Sequence, residues 1–344
     1  MRRLSWESPR GLRGPCTSET INVDRKLPRA HHDESGVASQ YCGVTDLQRE
    51  AAREPFGSEE PVLAAAAAAR AAGVQVREIS ALGEIDAVYR LYADIWRPDP
   101  TNPPVTSELL RALGKAGNYV AGAFDGDELL GACVGFFGAP ANEALHSHIA
   151  GVSGAARGRS VGFALKAHQR AWSMLRGVSA IYWTFDPLVR RNAYFNFVKL
   201  AARPEEYLIN FYGGIHDAIN GGDDTDRLLV HWKLADASVA AACAGTTAGA
   251  DAEAERASGA TVALGVSALG GPAVGTSDAQ TLLVAVPADI EALRLSDPGC
   301  GKDWRIAVRE VLGALLDDGA EVTGFDRAGW YILHRRNTSA KDSR

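Results

Sequence analysis

One stretch, residues 146–169, constrains what this chain can fold into more than any other. Its sequence, HSHIAGVSGAARGRSVGFALKAHQ, begins as a mixed strand, continues through a loop of Gly, Ala and Arg, and ends with apolar residues at helical spacing. Ser160 is expected to be the N-cap of that helix. Gly151 indicates a bulge or a close approach of another group inside the strand. The stretch therefore predicts a strand–loop–helix unit.

The loop has the chemistry of an anion site. Amides in the first turn of a helix have no acceptor within the helix, and the positive end of the helix dipole lies beside them. Arg157 and Arg159 add charge-assisted donors suited to phosphate, and Gly158 and Gly162 remove side chains where a ligand would meet the backbone. The spacing matches neither GxGxxG nor GxxxxGK[ST]. We expect the loop to hold a pyrophosphate; the alternative is a glycine-rich turn with solvated arginines.

The loop motif resembles the coenzyme A loop of the GNAT superfamily of N-acyltransferases, whose core pattern is Gln/Arg-x-x-Gly-x-Gly/Ala after a strand. This chain has Arg157, Gly162 and Ala164 in that pattern, with Ser160 where the first Gly is usual. The resemblance implies that the strand ending at Val152 pairs with the pantetheine arm and that the loop amides hold the pyrophosphate. The cofactor-binding residues it implies are Val152, Arg157, Gly158, Arg159, Ser160, Val161, Gly162 and Asn192.

The order of elements supports the same resemblance. Strands are predicted at 74–79, 118–124, 128–137, 146–152, 179–185, 207–212 and 227–234, and helices at 61–72, 83–96, 106–116, 160–175 and 190–202. From residue 74 onward this β–α–α–β–β–β–α–β–α–β–β order is that of the GNAT fold. We therefore expect an α/β (α+β) fold with a mixed, splayed central sheet flanked by helices. The strands ending at Val152 and Phe185 would part to form the cofactor slot.

Composition divides the rest of the chain. Residues 1–60 lack apolar periodicity and are expected to be a disordered leader. Residues 61–234 are expected to form the acyltransferase domain, and the Ala/Gly-rich stretch 235–280 a loose linker with at most one strand, at 260–266. Residues 281–336 are predicted to form an extra C-terminal β-α-β-β block that docks on the core. A tail follows at 337–344.

The overall composition excludes several classes of protein. A formal net charge of −6 disfavours nucleic acid as a partner, and no apolar run is long enough to span a membrane. The five cysteines are scattered without a CxxC pair, which indicates free thiols in a reducing compartment and no metal site. We therefore expect a cytoplasmic protein that binds neither nucleic acid nor membrane; a homodimer is left open.

A second motif begins at Asn192. The sequence NAYFNFVKLAA resembles the later helix of the family, Asn-x-x-Ala…Tyr-x-x-Leu-Gly-Phe, in which the Asn contacts the cofactor. The family's Tyr, which protonates the leaving thiolate, aligns with Phe197. Tyr194 lies one turn earlier and would replace it only in a rotated helix. The alternative for Tyr194 is a packed aromatic side chain.

Two histidines are the candidate bases. His146 and His148 have the same strand parity, so both side chains should point to one face. The stretch HSHIAGV is similar to the paired-histidine strand of arylalkylamine N-acetyltransferases, where two imidazoles help to take the amine proton. An ordinary imidazole pKa of about 6.5 suits that role. The alternative is a pair of strand histidines bonded to backbone carbonyls. The backbone amide near Val152 would polarise the thioester carbonyl.

Substrate contacts are expected around the slot. Asp186 would hold an ammonium group, and Arg190 with Arg191 would hold a carboxylate or the 3′-phosphate of the cofactor. Trp96, with Tyr92 one turn earlier, would wall the acceptor pocket. The alternatives are an Asp-Pro turn, a solvated helix end and ordinary core packing.

These residues and the resemblance predict a function. We expect a GNAT-type N-acetyltransferase that moves an acetyl or related acyl group from acyl-CoA to a primary amine of a small molecule. The amine would attack directly, without a covalent enzyme intermediate. One alternative is a non-catalytic acyl-CoA-binding or regulatory module, which Ser160 and Phe197 favour. Another is an N-succinyltransferase acting on amino acids, in which the arginine pair at 190 and 191 would meet a carboxylate.

Overall fold

Two β-sheets organise the part of the chain that the computed structural model describes, which is residues 59–98, 103–139, 143–213, 223–247 and 249–336. These residues fall within one compact unit. The leader expected at 1–60 lies outside them, except for Glu59 and Glu60, which begin the first helix. The tail expected at 337–344 also lies outside the described residues.

The first sheet is mixed. Its strands are β1 (Gln75–Glu78), β2 (Tyr119–Asp125), β3 (Glu128–Phe137), β4 (Ala144–Val152), β5 (Ala180–Phe185), β6 (Arg203–Leu208) and β7 (Arg227–Lys233). In the described residues the strand order is β1-β2-β3-β4-β5-β7-β6, with β4 and β5 parallel and the other neighbours antiparallel. The expected fold class is confirmed.

Helices cover both faces of this sheet. They are α1 (Glu59–Ala72), α2 (Leu82–Trp96), α3 (Ser107–Lys115), α4 (Val161–Leu175) and α5 (Arg190–Tyr194), which continues as a π-helical turn at Phe195–Lys199. Successive side chains of β2 point to opposite faces. Tyr119 and Ala121 pack in the core that α1 and α4 form, whereas Val120 packs in the core of α2 and α3.

The sheet splits between its two parallel strands. β4 and β5 are paired only where they begin, and the last pair is His146 with Tyr182. Beyond this pair, β4 stays bonded to β3 as far as Val152, and β5 stays bonded to β7 as far as Phe185. The open wedge between the two strands, called the fork below, confirms the expected splay.

A β-bulge lies beside the fork. β3 pairs Val134 with Ile149 and Gly135 with Ser147, so His148 is an extra residue on β4 that has no partner on β3. A bulge of this kind interrupts the ladder between β3 and β4 and bends the bulged strand.

The second sheet contains residues that we expected to form a linker. Residues 235–280 include α6 (Ala237–Cys243), α7 (Ala252–Ala257), β8 (Thr261–Val266) and β9 (Pro272–Val274), so the expected loose linker is wrong. Asp251 caps α7 by accepting hydrogen bonds from the amides of Glu253 and Ala254. Short elements built from small residues give little periodic signal, which is why the composition suggested a linker.

The C-terminal elements complete the second sheet. They are β10 (Thr281–Ala285), α8 (Ile290–Ser296), α9 (Pro298–Val308), a π-helical turn at Arg309–Gly313, α10 (Ala314–Asp317), β11 (Glu321–Asp326) and β12 (Trp330–His334). The strand order in the described chain is β11-β12-β10-β8-β9, with β8 parallel to β10. Among the described residues, none of the helices combines the length and the apolar character that a membrane span requires.

Two boundaries differ from the sequence patterns. The strand expected at 207–212 lies at 203–208, because Asn210 takes a φ of 45° and its amide donates to Asp226. Pro204 is tolerated there because β6 is an edge strand. The helix expected at 190–202 loses regular α-geometry after Tyr194, and Ala201 with a φ of 52° ends it.

Candidate functional site

The loop that joins β4 to α4 begins at the open end of the fork. Gly158 has a φ of 83°, a left-handed conformation that glycine adopts without steric cost. Within the described part of the chain, the amides of Gly158, Ser160, Val161 and Gly162 have no hydrogen-bond acceptor. They lie at the positive end of a 15-residue helix. The loop can therefore hold an anion, as its sequence predicts.

Ser160 occupies the expected N-cap position in an unexpected conformation. Its φ of 62° is left-handed, and its hydroxyl makes no capping hydrogen bond. This backbone conformation explains why a glycine suits the position in the family pattern. At Gly162 a Cβ would make only an ordinary contact, 3.7 Å from Val152 Cγ2, so the bare backbone faces space beside the end of β4.

The two loop arginines have different surroundings. Arg159 Nη2 lies 2.9 Å from Asp125 Oδ2, and it also donates to the carbonyls of Ala72 and Gly73 at 3.3 and 3.0 Å. Arg159 thus ties the loop to β2 and to the end of α1 through Nη2, and its contact with a phosphate stays a prediction. Arg157 is exposed and forms no ion pair with any described residue, so its guanidinium is free to meet a phosphate.

The histidine pair is brought together as expected. The ring centroids of His146 and His148 are 6.2 Å apart, and Phe136 lies beside both, at 5.0 and 5.8 Å. His146 is half-buried at the closed end of the fork, and His148 is exposed on the bulge. Both imidazoles therefore lie near the closed end of the fork.

Their acid–base properties differ from those of a free imidazole. Burial, together with His148 and Lys166 nearby, lowers the pKa of His146 to about 4. Burial also lowers the pKa of His148. Both rings are neutral at pH 7, but a group with a pKa of about 4 is a weak base for an ammonium. The expectation of an ordinary pKa is wrong for His146, and His148 is the stronger candidate base.

An aromatic row crosses the sheet at the closed end of the fork. Cross-strand pairs align Phe136, His146, Tyr182 and His231 on one face of four adjacent strands. The rings of Tyr182 and His231 stack, with centroids 4.5 Å apart and an interplanar angle of 8°. Glu205 lies 3.4 Å from His231. Sequence reasoning missed this row because alternation gives the face of each residue but not the register between strands.

Trp96 lies against β4 and packs on the core of α2 and α3, and its role as a wall of the acceptor pocket stays a prediction. A Cβ on Gly151 would lie 2.8 Å from Trp96 Cη2 and from Ile95 Cδ1, so the glycine permits this close approach. Tyr92 supports the indole edge-on at 5.2 Å. Gly151 in the sequence therefore marks the contact between α2 and the strand, and the bulge lies earlier, at His148.

Asp186 does not form the expected ammonium site. Its two carboxylate oxygens accept hydrogen bonds from Arg305 at 2.9 and 2.8 Å, and Arg294 donates to one of them at 2.8 Å. Burial favours the neutral acid, but the two guanidinium groups outweigh burial and hold the pKa of Asp186 well below its usual range. Asp223 completes this buried ion cluster. Asp186 therefore joins the two sheets and is not free for a substrate.

The arginine pair that follows β5 also faces the second sheet. Arg191 makes two hydrogen bonds of 2.6 Å with Glu291, and Arg190 donates to the carbonyl of Ala328 at 3.2 Å. Neither guanidinium is placed as expected for a substrate carboxylate or a 3′-phosphate. Sequence patterns could not predict these contacts, because the partners lie 138 and 100 residues away, in the C-terminal block.

The helix after β5 places the second motif. Asn192 is half-buried in the first turn of α5. Phe197 packs edge-on against Phe185 and Tyr331, and the Tyr194 ring lies under the Arg327 guanidinium at 5.3 Å. Phe197 thus contacts a strand of the second sheet, and Tyr194 contacts the β11–β12 turn.

The solved structures that are similar to this chain match less than half of it, at low sequence identity. No family model matches the chain, and no curated protein is similar to it in sequence. A GNAT-family protein from Desulfovibrio desulfuricans is 17% identical, with a TM-score of 0.39, over 47% of this chain and 99% of its own. A Salmonella typhimurium protein solved with acetyl-CoA is 12% identical, with a TM-score of 0.40. The match covers 48% of this chain and 98% of that protein. An aminoglycoside 6'-N-acetyltransferase from Enterococcus faecium is 16% identical, with a TM-score of 0.37. The match covers 47% of this chain and 98% of that protein.

Proposed function

We propose that this chain, whose first sheet has the strand order and the fork of the GNAT fold, transfers an acyl group from acyl-CoA to a primary amine of a small molecule. The observation that carries the proposal is the position of the loop amides. Unbonded N–H groups at the N-terminus of α4 lie at the open end of the fork, and the histidine pair lies toward its closed end.

The residues present fit acyl-CoA. The amides of the loop suit a pyrophosphate, and Arg157 adds a charge-assisted donor. The edge of β4 beyond His146 offers backbone groups to an extended pantetheine arm, because β5 has parted from it. When bound, acyl-CoA supplies an activated thioester. The Asn192 side chain, at the start of α5, is proposed to contact the cofactor.

We propose that the proton transfer takes place at the β4 bulge. An amine attacks only in its neutral form, so a base must remove a proton from the ammonium group. His148 is neutral at pH 7, exposed and beside the fork, and His146 supports it through the shared contact with Phe136. An amide beside the bulge would polarise the thioester carbonyl. Trp96 would wall the amine.

A non-catalytic acyl-CoA-binding module is the alternative. The lowered pKa of His146 and the packing of Phe197 favour it, because both weaken proton transfer. The succinyltransferase alternative depends on Arg190 and Arg191, which contact the β11–β12 turn and α8. We therefore propose no carboxylate-bearing acceptor on the basis of these arginines.

Calorimetry and an amine screen test the proposal. Acetyl-CoA should bind the full chain, and Arg157→Ala should weaken binding about tenfold, the loss expected for one charge-assisted hydrogen bond. Arg111→Ala is the matched control, because Arg111 is an exposed arginine on α3. Thiol release from acetyl-CoA with a panel of primary amines then separates the enzyme from the module. Absence of binding heat would contradict both.

A further inference from the structure

A buried lysine lies where the fork closes. Lys166, on α4, is 5% exposed. Its Nζ lies 2.9 Å from Ser147 Oγ and 3.0 Å from Gln169 Oε1, and 3.8 Å from the centre of the Trp183 ring. Neither the loop motif nor the histidine pair accounts for this residue.

The neighbours of the lysine fix its position. Ser147 and Trp183 directly follow His146 and Tyr182, the last pair that joins β4 to β5. Because side chains alternate along a strand, Ser147 and Trp183 point to the α4 face, opposite the histidine row. The ammonium of Lys166 contacts both side chains. It therefore lies at the closed end of the fork, on the α4 face of the sheet.

The lysine has no buried counter-charge. Its contacts are a hydroxyl, an amide oxygen and an indole face, and it forms no ion pair with a described residue. Arg170, one turn later on the same helix and 2% exposed, pairs with both oxygens of Glu60. A buried cation without an anion is costly and uncommon, so the bare charge at the fork calls for a function.

We propose that Lys166 stabilises the coenzyme A thiolate that leaves when the acyl group is transferred, which rests on the proposed function. In that step the amine nitrogen bonds to the acyl carbon, the C–S bond breaks, and its electron pair stays on sulfur as thiolate. His148 first passes the proton of the ammonium form to solvent, and it then takes the second proton, which the nitrogen loses as the amide forms. The thiolate then lies in the fork beside the ammonium of Lys166.

One observation and one electrostatic argument favour this role. Phe197, at the position of the family's Tyr, has no acidic group and packs on Phe185 and Tyr331, and the Tyr194 ring lies under Arg327. A positive charge in a water-excluded site also interacts strongly with developing negative charge and needs no reorganisation. This effect needs no cavity beside the Lys166 side chain, because the charge acts through space.

The protonation of Lys166 sets the pH range. Burial lowers its pKa to about 8, and the Cys133 thiol on β3 opposes that shift. His146 on β4 is the other titratable group that interacts with it, and Gln169, Trp183 and Trp232 are uncharged. Lys166 is therefore mostly charged at pH 7, and its stabilisation of a thiolate fades as pH rises above about 8.

The test measures the acidity of the thiol in coenzyme A bound to the full chain. The ultraviolet absorbance of the thiolate is followed against pH for the wild type and for Lys166→Met. We expect the bound thiol to be about tenfold more acidic in the wild type, which corresponds to a pKa lower by about one unit. Lys166→Arg, which keeps the charge, should retain most of this shift.

Two further variants keep the test decisive. Lys166→Gln offers Ser147 and Gln169 a neutral polar partner if the methionine variant does not fold. Arg170→Met removes a buried cation from the same helix away from the fork, so its thiol pKa should equal that of the wild type. An unchanged thiol pKa in both neutral Lys166 variants, with coenzyme A still bound, would overturn the inference. Absence of coenzyme A binding in the wild type would overturn the proposed function instead.

Discussion

At the scale of single residues, Ser160 is a strained position in the loop that we propose holds the pyrophosphate. Its φ of 62° suits glycine, tolerates serine at a cost, and is poorly tolerated by a β-branched side chain. We expect Ser160→Val to lower the free energy of unfolding by about 1–2 kcal/mol and Ser160→Gly to leave it within about 1 kcal/mol of the wild type. Urea denaturation checks both. Equal stability of the two variants would contradict backbone strain at Ser160.

The histidine pair makes a second prediction at this scale. A base must be unprotonated, and burial lowers both imidazole pKa values below about 6.5. The rate with a reactive amine should therefore stay constant down to about pH 6.5 and fall only in more acidic solution. His148→Gln should lower kcat/KM about 100-fold, and His146→Gln should lower it less. A rate that already falls between pH 8 and 7 through protonation of either histidine would refute the assignment.

At the scale of elements, the sequence predicts what is encoded locally. The strand–loop–helix unit at 146–169 could be recognised because periodicity, Gly158 and the loop arginines lie within one short stretch. The bulge at His148 and the ammonium of Lys166 at the fork depend on cross-strand register, which no single stretch contains. The partners of Asp186 could not be predicted for the same reason, since they lie on α8 and α9.

The expected linker gives an element-scale prediction. Asp251 accepts hydrogen bonds of 2.9 and 3.1 Å from the first-turn amides of α7. Asp251→Ala should therefore lower the free energy of unfolding by about 1 kcal/mol. Asp278→Ala, at an exposed position between β9 and β10, is the matched control and should change it by less than about 0.5 kcal/mol. Equal effects of the two substitutions on stability would mean that Asp251 does not cap α7.

At the scale of the whole molecule, the two sheets are joined by buried charge. Asp186 and Asp223 belong to the polypeptide of the first sheet, whereas Arg294 and Arg305 come from α8 and α9 of the second. The same C-terminal block also contacts the arginine pair at 190 and 191. Every charged residue that we expected to meet substrate beyond β5 is thus paired across the sheets. The histidine row is therefore the part of the site that we propose for the amine.

The ion cluster makes the last prediction. Removing one partner leaves an uncompensated buried charge, so Asp186→Asn and Arg305→Leu should each lower the free energy of unfolding by about 3–5 kcal/mol. The double variant should be destabilised by less than the sum, because neither charge is then left alone. Because the arginines hold the pKa of Asp186 below its unfolded value of about 3.9, its stabilisation is complete above that pH and is lost as pH falls further. Urea titrations at pH 7 and pH 3 should show a smaller difference between wild type and Asp186→Asn at the lower pH. Additive effects of the two substitutions would mean that the sheets are joined by packing and that the charges contribute independently.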